Sequence, residues 1–448
     1  MPNLAAIHEA IAAAVPDAEC LVYGERRLRW RELTDRTRRL ASVLRTAGLG
    51  CRRERAGLAN HESGQDHVAL YLYNGNEYLE GMLGAMKARC APFNVNYRYV
   101  EEELVYLFDN ADARAVIFHA SFAPTLARIR DQLPGVRLWL CVDDGSGAKL
   151  DGALEYEAAL AAAEPAIPQQ LSEDDLYILY TGGTTGMPKG VLWRHDEILR
   201  AALLPPSTEP TLDAIVERAR RGASRVRALP TPPFMHGAAH WAAFTMWHTG
   251  GTVFVQSKVR GFDAHDVLAT VERERITALT IVGDAFARPL RDALRERSYD
   301  ASSLQTITSG GAILTASVKD ELLARLPQIR LIDVLGSSES GQQASQISRP
   351  GAKSPPATSC SPRISPACWP RAPANRAGSR AAAPCRSGTT RTPRSRRAPF
   401  PWWAACGTPC RATARSRSRA AGCACSAATR SRSTRAARRS SLKRSSMR

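Results

Sequence analysis

Residues 180–191 read YTGGTTGMPKGV. Thr181, Gly182, Gly183, Thr184, Thr185 and Gly186 crowd backbone N–H groups and hydroxyls into six positions, and Lys189 adds a positive charge. That set of donors suits phosphate oxygens, which accept several hydrogen bonds and carry negative charge. The plainer reading is a glycine-rich surface turn. A Walker loop is excluded: it needs glycine before the lysine and a magnesium-binding hydroxyl after it, and Pro188 and Gly190 stand there.

Three later stretches could share in the chemistry. In PPFMHGAAHW, His236 and His240 have the i, i+4 spacing of a zinc pair, but the glutamate of HExxH is missing. A buried structural histidine is the simpler expectation there. TSGGA supplies Ser309, Gly310, Gly311 and Ala312 after an apolar run, and DVLGSSESG supplies Leu335, Gly336, Ser337, Ser338 and Glu339. Neither contains GxSxG, which argues against a serine hydrolase.

Together and in this order, the four stretches resemble the adenylate-forming superfamily of acyl-CoA synthetases, luciferases and adenylation domains. The resemblance runs over roughly residues 20–345. It implies that the 181–186 loop and Lys189 cradle the ATP phosphates and that His236 lies at the carboxylate pocket. It puts Ser309–Ala312 beside adenine, and Gly336 and Ser337 near the nucleotide and acyl group. Ser338 stands for the usual phosphate-binding threonine, and Glu339 is the implied Mg²⁺ ligand. Leu335 replaces a frequent adenine-stacking tyrosine. The implied reaction joins a carboxylic acid to ATP as an acyl-adenylate and passes the acyl group to CoA. "FMHGAAHWAAFTMWHTGG" and "TIVGDAFARPL" most resemble actinobacterial fatty-acyl and steroid side-chain CoA ligases. Gly237 and Ala238 (with Ala239) would leave room for a bulky apolar tail, with Trp241 and Phe244 as walls. Asp284, next to Gly283, would either meet a polar substrate group or sit solvated in a turn. An aryl- or amino-acid-activating enzyme is the near rival.

These stretches need elements to hold them. "LRWRELTDRTRRLASVLRTAGLG" has helical apolar spacing and a glycine stop. "HVALY", "ARAVIFH", "RLWLCV", "LYILY", "TVFV", "ITALTIV", "QTITS" and "IRLIDVL" are short apolar strands with helical sequence between many of them. This alternation predicts an α/β fold, with stacked sheets, flanking helices and ligand loops after the carboxyl ends of strands.

The formal charge of +18 is misleading as an average. Residues 349–448 hold 23 of the 61 Lys and Arg and no Asp or Glu, so residues 1–348 carry a net −5. Four scattered cysteines in the body (Cys20, Cys51, Cys90, Cys141) have no metal-ligand spacing and read as reduced thiols. The N-terminus lacks a basic leader, and no run approaches the roughly 18 apolar residues of a membrane span. A cytoplasmic enzyme without a specific nucleic-acid partner is expected, and the oligomeric state is left open.

Two segments are expected: an incomplete AMP-binding domain at 1–346 and a disordered, non-homologous tail at 347–448. A tail this basic also fits a nucleic-acid-binding extension on a degenerate enzyme body. Its composition favours a reading-frame shift. Codons with a middle G or C encode only Ala, Pro, Thr, Ser, Arg, Gly, Cys and Trp, and GC-rich coding sequence shifted by one base falls in that column. Only Lys353, Ile364, Asn375, Phe400, Leu442, Lys443 and Met447 lie outside it between 349 and 448. Undoing the shift lets Arg411-Ala412-Thr413 become the Pro-Gly-Asp of a ribose site and Ala427-Ala428 the Gly-Arg of a hinge. Residues 436–448 then permit GGEKVFSEEVVDE, as follows that hinge in the resembled family. The expected chain is a ligase by descent whose C-terminal domain is lost and whose activity is impaired. Sequencing the DNA around codon 346 is expected to show uninterrupted family sequence in a neighbouring frame; stop codons in both other frames would refute the shift.

Overall fold

The computed structural model describes residues 2–166, 170–183, 186–204 and 208–350, with a two-residue strand at 361–362. In chain order the strands of the first half are β1 (Glu19–Tyr23), β2 (Arg26–Arg29), β3 (His67–Tyr71), β4 (Ala91–Asn94), β5 (Ala113–His119), β6 (Leu138–Val142), β7 (Leu154–Glu155), β8 (Leu176–Gly183) and β9 (Gly186–Arg194). The second half adds β10 (Arg227–Pro230), β11 (Thr252–Val255), β12 (Ala278–Ile281), β13 (Thr306–Gly310), β14 (Arg330–Ser337), β15 (Gly341–Ser348) and β16 (Ser361–Pro362). They form two sheets, ordered β7-β6-β5-β3-β4-β8-β9 and β16-β15-β14-β13-β12-β10-β11-β1-β2. Both are parallel inside and antiparallel only toward their edges: β9 against β8, β2 against β1, and β15 and β16 beyond β14.

The apolar runs explain the layering. Inner strands such as β3 and β5 are buried along nearly their whole length, as parallel strands covered on both faces must be. The core between the sheets takes Leu70, Ile117, Tyr177 and Leu179 from one sheet and Leu21, Val253 and Val255 from the other. Between them lie helices Leu4–Ala14, Trp30–Thr46, Asn76–Lys87 and Gly237–Trp247. Two further cores cover the outer faces under helices Ala264–Glu274, Gly283–Glu296 and Ala316–Arg325 on one side and Glu101–Asn110 and Ala123–Ile129 on the other.

The Trp30–Thr46 helix buries Trp30, Leu33, Thr34, Thr37, Leu40, Ala41 and Leu44, a single stripe at helical spacing. The Asn76–Lys87 helix has no polar side: every residue except Glu77 is buried. It sits so close to its neighbours that a Cβ on Gly84 would lie 2.5 Å from Leu40. Its buried charges are paired. Glu80 receives Arg36 and the Tyr156 hydroxyl, and Lys87 meets Glu9 at 2.6 Å and Thr37 at 2.8 Å. Burial lowers the Lys87 pKa to about 8 against the pull of Glu9.

The expected boundary at 346 falls inside β15, which continues to Ser348, and β16 pairs with Ala344 and Ser345. The rest of the expected tail, 351–360 and 363–448, lies outside the described residues. The helices Leu4–Ala14 and Leu212–Gly222 and the strand β15 are additions to the sequence reading. No helix among the described residues is long and apolar enough to cross a membrane.

Trp247 is the anchor of the central core. It is 2% exposed, lies 6.1 Å from Trp30 centroid to centroid, and donates its indole N–H to the Cys20 carbonyl at 3.0 Å. Trp247→Ala is expected to cost about 3–5 kcal/mol, read by urea unfolding, because it opens a large cavity in a packed layer.

Candidate active site

The sequence reading places a flexible loop after β8; the structure makes it a hairpin. Thr181 pairs with Lys189 and Gly183 with Gly186, so most of TGGTTGMPKG is strand, while Thr184 and Thr185 lie outside the described residues. Gly190 is required by packing, since the ring of its cross-strand partner Tyr180 would lie 2.8 Å from any Cβ there. Gly182 differs. Its Cβ position has nothing within 4 Å, so nothing in the protein itself demands glycine there. Lys189 is exposed and forms no ion pair among the described residues.

The other candidates sit at the carboxyl ends of four neighbouring parallel strands, β10, β12, β13 and β14. After β10 comes the turn to His236, after β12 Gly283 and Asp284, at the end of β13 Ser309 and Gly310, and at the end of β14 Leu335, Gly336 and Ser337. Parallel strands all end on one side, so residues far apart in sequence share one rim.

Two asparagines that the sequence reading missed stitch this rim to the other sheet. Asn94, at the end of β4, accepts from Tyr180 N (2.7 Å) and donates to Tyr180 O and Met235 O (both 2.7 Å). Asn74, just beyond β3, donates to Pro232 O (3.0 Å) and accepts from Phe234 N (2.6 Å). The residues before the glycine hairpin and before His236 are therefore held by one side chain. The only sequence signal was a polar amide just after apolar strand residues, in "YNGN" and "FNVN".

His236 caps the N-terminus of the Gly237–Trp247 helix and is open to solvent. Desolvation by the surrounding protein, and secondarily Arg98, lower its pKa, which favours the neutral imidazole. His240 is the structural histidine. Its Nδ1 donates to Phe234 O at 2.6 Å, its Nε2 accepts from the Tyr177 hydroxyl, and that hydroxyl accepts the Trp241 indole N–H at 3.2 Å. This chain requires neutral His240, whose pKa burial pushes down to about 4. Zinc ligation by the 236/240 pair is thereby ruled out, and among the described residues no group of three or more His, Cys, Asp or Glu could hold a metal.

A Cβ on Gly237 would lie 3.0 Å from Leu179 of β8, and Ala238 and Trp241 are half-buried beside it. Phe244 is 3% exposed and packs on Trp247 at 5.4 Å, so it belongs to the core and is not a free wall. Ser309 is 2% exposed and accepts the Gly283 N–H at 3.1 Å; it positions Gly283, whereas Gly311 and Ala312 are exposed. Asp284 is neither free nor simply solvated. Its oxygens accept from Thr315 N (2.8 Å), the Thr315 hydroxyl and Arg288 (2.8 Å), which hold its pKa below the usual value. Its backbone N–H also donates to Ile313 O at 2.9 Å, so Asp284 ties the start of its helix to residues 313 and 315.

Leu335 is 58% and Ile313 82% exposed, which gives the rim an apolar ledge. β14 turns back into β15 through Ser338, Glu339 and Ser340, where the Ser337 and Ser340 hydroxyls meet at 2.9 Å. Gly336 is pressed on the returning strand, 2.4 Å from Gly341 O at its Cβ position. Glu339 is exposed and has no ion-pair partner among the described residues. Trp193 of β9 donates its indole N–H to Ser338 O at 2.8 Å, joining the two hairpins.

With this geometry, the sequence profile of AMP-binding enzymes matches residues 8–365. The chain belongs to the AMP-binding enzyme family. This AMP-binding chain is 47% identical over 355 residues to the medium-chain acyl-CoA ligase Mig of Mycobacterium avium, covering 78% of itself and 64% of that protein. It is 36% identical over 352 residues to a 3-oxocholest-4-en-26-oate–CoA ligase of Rhodococcus rhodochrous, covering 76% of itself and 60% of that ligase. The AMP-binding chain thus spans less than two thirds of the length of either relative. Among solved structures, it resembles the N-terminal domain of FACL13 from Mycobacterium tuberculosis (TM-score 0.62, 22% identity, 77% and 78% of the two chains). It also resembles the anthranilate CoA ligase AuaEII (TM-score 0.65, 21% identity, 79% and 64%). At such identities these two likenesses establish the fold alone.

Buried histidines make the structure acid-sensitive. His195 lies at a pKa of about 3, and His119, His240 and His248 at about 4, each lowered chiefly by desolvation. The unfolded chain, with ordinary values near 6.5, binds more protons between pH 6.5 and 4. Stability is full above pH 6.5 and falls as the pH drops through that window. His240→Gln is expected to flatten the slope by about 1 kcal/mol per pH unit in denaturant titrations run at several pH values.

Proposed function

We propose that this chain is an acyl-activating module of the acyl-CoA ligase type. A carboxylate oxygen attacks the α-phosphorus of ATP and pyrophosphate leaves; the CoA thiol then attacks the acyl carbonyl and AMP leaves. The observation that carries this reading is the hydrogen bond between two hairpins from different sheets, one bearing a lysine and the other a carboxylate that form no ion pair among the described residues. Opposite charges at one seam suit a polyphosphate and its cation.

In this reading the backbone from Thr181 to Gly186 and the Lys189 ammonium bind the β- and γ-phosphates. The bare space at Gly182 leaves room for phosphate oxygens to approach the backbone. Gly310, Gly311 and Ala312 border the adenine, which lies on the apolar ledge of Ile313 and Leu335. Gly336, Ser337 and Ser338 follow the α-phosphate. His236, neutral at the mouth of a helix whose N-terminal amides favour an anion, orients the carboxylate. Gly237, Ala238 and Trp241 border an apolar tail, and the similarity to a medium-chain and a steroid-acid ligase supports a fatty or steroid side-chain acid. Gly283 and Asp284 shape the same rim. Glu339 fits Mg²⁺ as a single carboxylate ligand, since Mg²⁺ takes few protein ligands and completes its shell with phosphate oxygens and water. Bound there, the ion would neutralise charge on the transferring phosphates. ATP and CoA place the work in the cytoplasm. Residues 349–448 as they stand contain neither Pro-Gly-Asp nor Gly-Arg, so this reading expects poor thioester formation.

Calorimetry on the 448-residue chain is expected to show Mg²⁺-dependent ATP binding. Lys189→Ala should weaken it roughly tenfold or more, as loss of a charge-assisted hydrogen bond implies, and Glu339→Gln should remove most of the Mg²⁺ dependence. Pyrophosphate exchange should favour fatty or steroid acids over aryl and amino acids, with acyl-CoA formed slowly if at all. An absence of ATP binding would sink the reading, and rapid acyl-CoA formation would sink the impairment.

A further inference from the structure

Trp193 has no part in the chemistry above, yet its position is unusual. It lies on β9 four residues after Lys189, opposite Tyr177 in the hairpin, and is 9% exposed within the core between the sheets. A buried indole N–H needs an acceptor. It finds one in the other sheet, in the carbonyl of Ser338, the residue immediately before Glu339. The far side of the same turn is held as well. Gly341 has φ +67, and the space where a Cβ would stand is filled by the Ala201 side chain and carbonyl, both at 2.7 Å. Ala201 belongs to the 199–203 helical turn that follows β9 by a few residues. The three-residue turn 338–340 is thus flanked by two contacts, one from β9, which carries Lys189, and one from the 199–203 turn beyond it.

We propose that Trp193 is a positioning residue for Glu339: its indole N–H fixes the Ser338 carbonyl and so sets the metal-binding turn against the phosphate-binding hairpin. The inference rests on the nucleotide reading above and names how that site is kept in register. Because β8 and β9 belong to one sheet and β14 and β15 to the other, no backbone ladder joins the two tips. A side chain must do it. The indole suits the task because its rigid ring is clamped in the core while its single donor reaches the partner sheet. If the bond is lost, Glu339 keeps its chemistry but loses its fixed distance from Lys189, so the cost falls on the Mg²⁺-bridged nucleotide and spares the empty protein's fold.

Trp193→Phe keeps an aromatic ring and deletes the donor; Gly341→Ala strains the other contact. Two readouts test them on the full chain. The first is amide exchange of the 336–341 segment without nucleotide, which should speed up at least threefold in Trp193→Phe and in Gly341→Ala while the β3 and β5 amides stay unchanged. The second is ATP affinity with Mg²⁺ and with EDTA. Trp193→Phe should weaken the Mg²⁺ form about fivefold, the factor for one buried hydrogen bond of about 1 kcal/mol, and leave the EDTA form unchanged. Unchanged exchange at 336–341 in Trp193→Phe overturns the proposal whatever the nucleotide does. So does equal weakening of ATP with and without Mg²⁺, which would mark a general packing role. If wild-type chain binds no ATP, the nucleotide reading falls and takes the positioning role with it. Faster exchange in that case would show only that the clamp exists.

Discussion

The site depends on one buried amide. Asn94 gives both of its amide donors and its oxygen to main-chain groups of two segments: both polar groups of Tyr180 and the carbonyl of Met235. Those segments leave different sheets, and neither could satisfy these groups through a strand ladder. Asn74 repeats the arrangement one strand away, on Pro232 and Phe234. An amide is the right tool because it is both donor and acceptor and carries no charge to desolvate. Without these two side chains the 232–236 turn would leave buried backbone groups unpaired, and His236 would have no fixed relation to the glycine hairpin.

Around this stitch the fold repeats one device. Each sheet is parallel through its middle, which brings its carboxyl ends to one rim, and each then turns back on itself in a hairpin, one carrying Lys189 on its second strand opposite Thr181 and the other carrying Glu339 in its turn. A hairpin tip is backed by two paired strands and is stiffer than a free loop. The histidines are allotted by depth. His240 is spent on Phe234 and Tyr177, His248 on the Leu203 carbonyl, and only His236 stays open at the rim. Asp284 shows the same economy, since its carboxylate is taken up by Thr315 and Arg288.

Much of this was legible in the residues. The apolar runs that became β3, β5, β6, β8 and β11 were readable because strands covered on both faces need no alternation. The Trp30–Thr46 helix showed its stripe plainly. The 181–189 stretch was readable as a candidate because glycine, hydroxyl and lysine stand there in close succession, a set of donors that suits phosphate oxygens. β15 was not legible: GQQASQIS has no apolar run, and it is a strand only because β14 offers it a ladder. The hairpin form of the glycine segment was hidden for the same reason, since cross-strand partners leave no local mark.

The sequence by itself determined which groups are available and to which family of AMP-binding enzymes they belong, because residue types and their order along the chain carry that information. Tertiary structure decided which of them are free. Phe244, Ser309, His240 and Asp284 had the right types for a pocket, but each is already committed to a protein partner. Asn74, Asn94 and Trp193 looked like ordinary strand-end residues and turn out to join the sheets. Hydrogen-bond partners more than a hundred residues away, as in Trp193 with Ser338, are set by the packing of the sheets, which no spacing along the chain records.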